Sequence, residues 1–174
     1  MVARNNFIHP SQLGSLKFKS TTDVGITLTH IVWSGWAKGK SMSSLIFDIS
    51  QFFPSLNYKL LVRILEKAGL NPRVSLFFVN YLVKKRISYM WNTFSSPMFD
   101  VNVRVGQGSI LSPILSSLYL TPFLYILEKR LKNLKIPISI LVFVDDGLII
   151  TQNKSFDVSN SQLYCSYNVL SKLL

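Results

Sequence analysis

Hydrophobic and polar positions follow a helical period over three segments in the first half of this 174-residue chain. Apolar residues recur at helical spacing over residues 21–36 and again over residues 57–68, where charged side chains occupy the opposite face. Gly69 follows the second segment at a usual helix-ending position, and Pro72 begins a third helix that runs to about Val83. The pattern therefore predicts three helices before residue 84.

Short runs rich in β-branched and aromatic residues predict strands between and after these helices. The run at residues 44–49 ends close to Asp48. Two further pairs of runs predict hairpins, at residues 87–94 with 98–105, joined by Ser95-Ser96-Pro97, and at residues 138–142 with 147–150. A long uncharged helix at residues 110–127 lies between the hairpins, and a last helix begins near residue 159.

This order of elements predicts an α+β fold, in which a mostly antiparallel sheet packs against helices on one face. The chain is long enough for one domain with its own core. The uncharged segment at residues 110–127 also has the length of a short membrane span. Pro113, Pro122 and the interspersed hydroxyl side chains favour a helix buried within the domain, so we expect no stable membrane association.

The charge balance of the chain indicates what kind of partner it binds. The chain has 19 Lys and Arg against 8 Asp and Glu, a net charge of +11, and a mean hydropathy of +0.30. Such a surplus favours polyanionic partners, either nucleic acid or an anionic membrane surface. Cys165 is the only cysteine, which excludes an internal disulfide. His9 and His30 have no second nitrogen or thiol ligand at useful spacing, so no zinc site is predicted.

Acidic residues are scarce, and two of them are adjacent on the tight turn of the last hairpin, Asp145 and Asp146. Like charges that close repel, and burial stabilises neither, so stability does not explain the pair. A bound divalent cation would explain the pair, because Mg²⁺ prefers carboxylate oxygens. Asp48 would join them if its strand lies beside the hairpin, and three carboxylates can hold two ions for displacement at phosphorus. A helix cap or a surface acid is the alternative for Asp48.

Three ordered segments carry a family resemblance: Asp48-Ile-Ser-Gln-Phe-Phe-Pro-Ser-Leu-Asn57, Gly106-Gln-Gly-Ser-Ile-Leu-Ser-Pro113 and Phe143-Val-Asp-Asp146. With Gln12-Leu13-Gly14 and Ser20-Thr21-Thr22-Asp23, they resemble the reverse transcriptase domain of non-LTR (LINE-like) retrotransposons, in detail the fungal elements. The resemblance covers essentially the whole chain. It implies an RNA-directed DNA polymerase, a nucleotidyltransferase that extends a DNA primer on an RNA template with deoxynucleoside triphosphates.

The resemblance also implies roles for single residues. Asp48 and Asp145 correspond to the essential metal-binding aspartates, Asp146 to a less demanding one, and the Ile49 carbonyl would face the second ion. The two ions would be Mg²⁺, with Mn²⁺ as the alternative. The primer 3′-hydroxyl is the nucleophile, so no nucleophilic side chain is expected.

Nucleotide selection is implied for a second group of residues. Phe53 corresponds to the sugar gate that excludes a ribose 2′-hydroxyl, whereas Phe52 is assigned to the interior. Gln107 and Gly108 would line the nucleotide pocket, and Ser109 would cap the helix that follows. Contacts to nucleic acid are assigned to Gln12, Lys17, Lys19, Lys84, Lys85 and Arg86, for whose basic members a solvated face is the alternative.

By the same resemblance, residues 1–42 are part of the fingers and residues 43–174 are a palm that is incomplete at its carboxyl end. We expect the other fingers strands, the thumb and the endonuclease to belong to a longer polyprotein, and the isolated chain to be weak or inactive. A catalytically dead RNA- or DNA-binding remnant is the alternative. The sequence leaves the compartment open, and the resemblance is compatible with the nucleus.

Overall fold

The computed structural model describes residues 7–50, 52–83, 85–101 and 109–173. These residues form two compact units. The first contains residues 8–50 and 113–173, and the second contains Phe7 and the described residues from 52 to 112. This division does not follow the predicted boundary between residues 42 and 43, and the assignment of those two ranges to fingers and palm stays a prediction.

Helices and antiparallel strands alternate along the described chain, which confirms the predicted α+β class. The helices are α1 (Thr21–Trp36), α2 (Phe52–Ser55), α3 (Tyr58–Lys67), α4 (Pro72–Val83), α5 (Ser112–Asn133) and α6 (Phe156–Leu170). The strands are β1 (Ser41–Phe47), β2 (Lys85–Ile87), β3 (Met90–Trp91), β4 (Phe94–Ser95), β5 (Phe99–Val101), β6 (Ile138–Phe143) and β7 (Asp146–Asn153).

The first unit is built on a three-stranded antiparallel sheet in the order β1-β7-β6. Phe47 of β1 lies opposite Gly147 of β7, and Phe143 of β6 lies opposite Asp146. The amino-terminal segment extends the sheet at its β6 edge, where Gln12 forms a parallel bridge with Val142. The central strand β7 therefore begins at the sheet end where β1 and β6 both finish.

Helices cover both faces of this sheet, so the prediction of helices on one face is wrong. On one face, Leu141 and Ile150 form a core with Leu13, and side chains of α1 pack against it. On the other face, the Thr151 hydroxyl lies 2.9 Å from the carbonyl oxygen of Ser159 in α6. Successive side chains of a strand point to opposite faces, so the apolar run of β7 is buried on both.

The second unit contains α3, whose predicted ends are confirmed. The Asn57 side chain accepts hydrogen bonds from the backbone N–H groups of Lys59 and Leu60, which satisfies two donors at the start of the helix. Gly69 follows the helix with a φ of +79°, a conformation that glycine adopts without steric strain. The buried face of α3 includes Leu61, Ile64 and Leu65.

The hairpin of this unit turns earlier than predicted. Strand β3 pairs with β4 through a turn at Asn92, whose φ is +53°, and β2 pairs with β5 outside them. Ser95-Ser96-Pro97 is therefore not the connecting turn. Asparagine tolerates positive φ, which favours a turn at residue 92 over one at the proline. The predicted end of the second strand lies outside the described residues.

Helix α5 is longer than the uncharged segment that predicted it and includes the charged residues after Leu127. It begins at Ser112, whose N–H donates to the Ser109 carbonyl at 3.0 Å, so Ser109 closes the turn that precedes the helix. Leucines at six positions of α5 are buried: 115, 118, 120, 124, 127 and 131. None of the helices in the described part of the chain has both the length and the apolarity needed to cross a membrane.

Two glycine-to-alanine substitutions test this packing. A Cβ at Gly147 would overlap the ring of Phe47 on the neighbouring strand, so G147A is expected to lower the free energy of unfolding by about 1–3 kcal/mol. A Cβ at Gly25 in α1 meets no atom within 4 Å, so G25A should raise it by up to about 1 kcal/mol. Urea unfolding measures both, and equal effects would contradict the packing described.

Candidate active site

The hairpin between β6 and β7 turns through only two residues, Val144 and Asp145. Val144 has a φ of +63°, while Asp145 is not among the described residues with positive φ. Positive φ at the first turn residue alone is the pattern of a type II′ hairpin, where glycine is usual. A β-branched residue there is strained, at a cost of about 1–3 kcal/mol. Asp145 thus directly follows a residue whose backbone is strained.

The sheet register brings the three predicted aspartates to one end of the sheet. Asp48 follows the last residue of β1, Asp146 is the first residue of β7, and Asp145 precedes it in the turn. Asp48 and Asp146 are exposed, and Asp145 is half-buried. Ile49, the residue with the implied carbonyl ligand, is half-buried beside Asp48.

The electrostatics of Asp145 reflect this convergence. Burial raises the pKa of its carboxyl above the ordinary value of 3.8, and a backbone hydrogen bond partly opposes the shift. The negative charges of Asp146 and Asp48 raise that pKa further. Within the described ranges, no lysine or arginine forms an ion pair with any of the three. Among the residues described, these carboxylates thus repel one another and have no lysine or arginine as an ion-pair partner.

Such a donor set suits a hard divalent cation. Among the residues that the structure describes, no three His, Cys, Asp or Glu side chains form a group that could hold a metal ion by themselves. An open set is nevertheless what Mg²⁺ commonly uses, since one or two carboxylates suffice when water and phosphate oxygens supply the other ligands. The residues present therefore fit an ion that is completed by a phosphate-bearing substrate.

The amino-terminal segment holds the turn through hydrogen bonds. Gln12 is fully buried, its amide nitrogen donates to the Val144 carbonyl at 3.0 Å, and its amide oxygen accepts from the Val144 N–H at 3.0 Å. The same oxygen accepts from the Gly14 N–H at 2.9 Å. We predicted that Gln12 contacts nucleic acid, but a buried amide with these partners faces the protein instead. The Gln12-Leu13-Gly14 motif pointed to the segment, though not to this contact.

A buried polar network ties the same segment to α5. His9 Nδ1 accepts from the Ser11 N–H at 3.2 Å, so Nε2 carries the ring proton and donates to Glu128 at 3.2 Å. Lys132 lies 3.1 Å from the other oxygen of Glu128. The hydrogen bond from Lys132 is the main cause that lowers the pKa of the Glu128 carboxyl. The segment that holds the turn is therefore anchored on a helix as well.

The remaining predicted site residues are placed only in part. Phe53 belongs to the second unit and is half-buried, with its ring 5.5 Å from that of the buried Phe52. Lys17 and Lys19 are exposed, and Arg86 is exposed with its Nε 3.1 Å from Asp100. Gln107, Gly108, Lys84 and the side chain of Lys85 lie outside the described residues.

Comparison with known proteins gives a family and a fold. Residues 1–166 match the model of the family described as reverse transcriptase (RNA-dependent DNA polymerase). No match was found among curated protein sequences.

Two solved structures with a similar fold are telomerases. One, from Candida albicans with the TWJ fragment of telomeric RNA, has a TM-score of 0.58 at 15% identity and covers 92% of this chain and 29% of its own. The other, apo telomerase from Candida tropicalis truncated from its C-terminal domain, has a TM-score of 0.63 at 14% identity, with 91% and 32% covered. This chain thus spans about a third of their length.

The raised pKa of Asp145 predicts how stability depends on pH. The folded state binds this proton more tightly than the unfolded state, so the contribution of Asp145 to stability falls as the pH rises from 3.8 through the raised pKa. D145N should therefore unfold at a higher urea concentration than the wild type at neutral pH, and this advantage should vanish in acid.

Glu128 provides the control of opposite sign. Its pKa is lowered, so its ionised form stabilises the fold above the ordinary value of 4.5, and this contribution is lost as the pH falls through the lowered pKa. E128Q should thus be less stable than the wild type at neutral pH only. A D145N variant that is destabilised at neutral pH would contradict the electrostatics described.

Proposed function

Because this chain belongs to the reverse transcriptase (RNA-dependent DNA polymerase) family, we propose that it carries the polymerase site of an enzyme that copies RNA into DNA. The observation that supports this most is the convergence of Asp48, Asp145 and Asp146 at one end of the sheet. Their partners would be an RNA template, a DNA primer and deoxynucleoside triphosphates.

The chemistry follows from what these carboxylates can hold together with the phosphate oxygens of a substrate. When bound, a pair of divalent ions, Mg²⁺ or Mn²⁺, supplies the positive charge that stabilises the attacking and leaving oxygens in phosphoryl transfer. Asp48 and Asp145 would hold these ions, with the Ile49 carbonyl and Asp146 as further ligands. The primer 3′-hydroxyl would attack the α-phosphate and displace pyrophosphate, so the protein contributes positioning and charge rather than a nucleophile.

We assign the chain more narrowly to a non-LTR retrotransposon of the fungal type. The ordered segments that end at Asn57, Pro113 and Asp146 support this assignment, together with Gln12-Leu13-Gly14. Residues 1–42 would then belong to the fingers and residues 43–174 to the palm of a longer polyprotein. The telomerases support the fold of this proposal and not the type of element.

Nucleic-acid binding is the part of the function that net charge supports. A charge of +11 and the exposed side chains of Lys17 and Lys19 favour contact with phosphates. Such binding weakens as the salt concentration rises, because releasing the counterions of the nucleic acid then becomes less favourable. The same charge supports a second candidate function, an RNA- or DNA-binding module without catalysis. Only a measurement of nucleotide addition distinguishes the two functions.

Primer extension on an RNA template makes that separation. Because the isolated chain is expected to be weak, the wild type is assayed at high concentration with Mg²⁺ or Mn²⁺, where it should add deoxynucleotides to the primer slowly. D145N should reduce the rate by about 10²–10³-fold, the scale for removing one group that stabilises transition-state charge. D157N is the matched control, because Asp157 is an exposed aspartate in the first turn of α6. Salt-dependent binding without extension would support the binding module and contradict the polymerase.

Sugar selection tests the assignment of Phe53. F53A should increase incorporation of ribonucleotides relative to deoxynucleotides, because the ring would no longer exclude the 2′-hydroxyl. Phe52 provides the control, since it is 4% exposed and F52A should lower the free energy of unfolding by about 3–5 kcal/mol without changing sugar preference. Unchanged selectivity in F53A would show that this residue is not the gate.

A further inference from the structure

We propose that Gln12 is a positioning residue of the polymerase site, whose side-chain amide holds Val144 and thereby sets the direction of the Asp145 carboxylate. The inference rests on the proposed function only in that Asp145 is a metal ligand. Gln12 is fully buried and reaches no substrate, so any effect on the reaction has to pass through the turn.

The amide of Gln12 satisfies both polar groups of a single residue. Its nitrogen donates to the Val144 carbonyl and its oxygen accepts from the Val144 N–H, each at 3.0 Å. Val144 is the first residue of a two-residue hairpin, so the β6–β7 ladder does not use these groups. Only a side chain with both a donor and an acceptor can bind both, which among uncharged residues makes an amide well suited.

Val144 requires such a restraint more than most turn residues. Its φ of +63° is unfavourable for a β-branched side chain, so the local sequence does not itself favour this turn. A residue held in a disfavoured conformation persists when the surrounding structure over-determines it. Gln12 is the neighbour that supplies this restraint, and Asp145 is joined directly to the restrained peptide.

Gly14 brings the segment close enough for the contact. A Cβ at this position would overlap the backbone nitrogen of Val144 and lie 2.8 Å from its Cγ2, so any larger residue would push the segment away from the turn. The Gly14 N–H also donates to Gln12 Oε1 at 2.9 Å, which orients the amide. The Gly14 carbonyl accepts from the Ser117 hydroxyl at 3.1 Å, which attaches this end of the segment to α5.

The other side of the segment is fixed to the sheet. The Leu13 N–H donates to the Val142 carbonyl and the Val142 N–H donates to the Ser11 carbonyl, both at 2.8 Å. Gln12 is therefore held by a strand edge on one side and by α5 on the other. Because the backbone around Gln12 is fixed both to β6 and to α5, its side chain can restrain the turn.

Three variants test the proposal without relying on activity. Q12A removes every bond of the amide. Q12E keeps the acceptor for the Val144 N–H but loses the donor to its carbonyl. Q152A is the matched control, because the Gln152 amide also bonds a backbone carbonyl, that of Ile31 at 2.7 Å, near the opposite end of β7. Mn²⁺ binding followed by electron paramagnetic resonance, amide hydrogen exchange at Val144 and urea unfolding are measured for each.

We expect Q12A and Q12E to weaken Mn²⁺ binding by about 10–100-fold, as loss of partners that orient metal ligands does, and to speed exchange at Val144. Q152A should lower the unfolding free energy and leave Mn²⁺ affinity unchanged. Equal Mn²⁺ affinity in wild type and Q12E would overturn the proposal, as would a wild-type Val144 amide that exchanges like an unprotected one.

Failure of the proposed function gives a different result. A wild-type chain that binds no Mn²⁺ would contradict the polymerase site itself, together with the effect of Gln12 on it. Hydrogen exchange at Val144 would still test whether the Gln12 amide restrains the turn. Unchanged exchange in both Gln12 variants would show that the amide does not restrain the turn either.

Discussion

The strained peptide of Val144 is the constraint on which the rest of the site depends. It places an aspartate at the end of a two-residue turn, where burial and two neighbouring carboxylates disfavour its charge. Neither the strain nor the repulsion stabilises the fold. Both persist because the amino-terminal segment and the sheet hold the turn from opposite sides. Strain that is maintained in this way is typical of functional sites.

The architecture around the turn serves to hold it. Strand β7 is buried on both faces, between α1 and α6, so it can carry the hairpin as a rigid element. Helix α5 binds the amino-terminal segment through Ser117 and through the network of His9 and Glu128. A site built on such elements is more precise than one on a free loop. Catalysis by positioning and charge requires that precision.

Much of the fold could be predicted from the sequence, because local chemistry decides it. The Asn57 cap and Gly69 define α3. The sequence joined Asp48 to the aspartates of the last hairpin only on the condition that its strand lies beside that hairpin, and the order β1-β7-β6 meets this condition. The turn at Asn92 was missed, because Pro97 is a stronger turn signal than a single asparagine. Helices on both faces were missed because an apolar run does not say what covers it. The role of Gln12 was missed because it joins residues 132 positions apart, beyond any periodic pattern.

On this proposal, Asp48 and Asp145 together form a divalent metal site at the strained hairpin. A crystal structure of the chain with Mn²⁺ and a deoxynucleoside triphosphate, read through the anomalous signal of the metal, tests it most directly. We expect anomalous peaks at about 2.0–2.2 Å from carboxylate oxygens of both aspartates, close to the octahedral distances that Mg²⁺ adopts. Peaks confined to the triphosphate or to other acidic residues, with neither aspartate as a ligand, would contradict it.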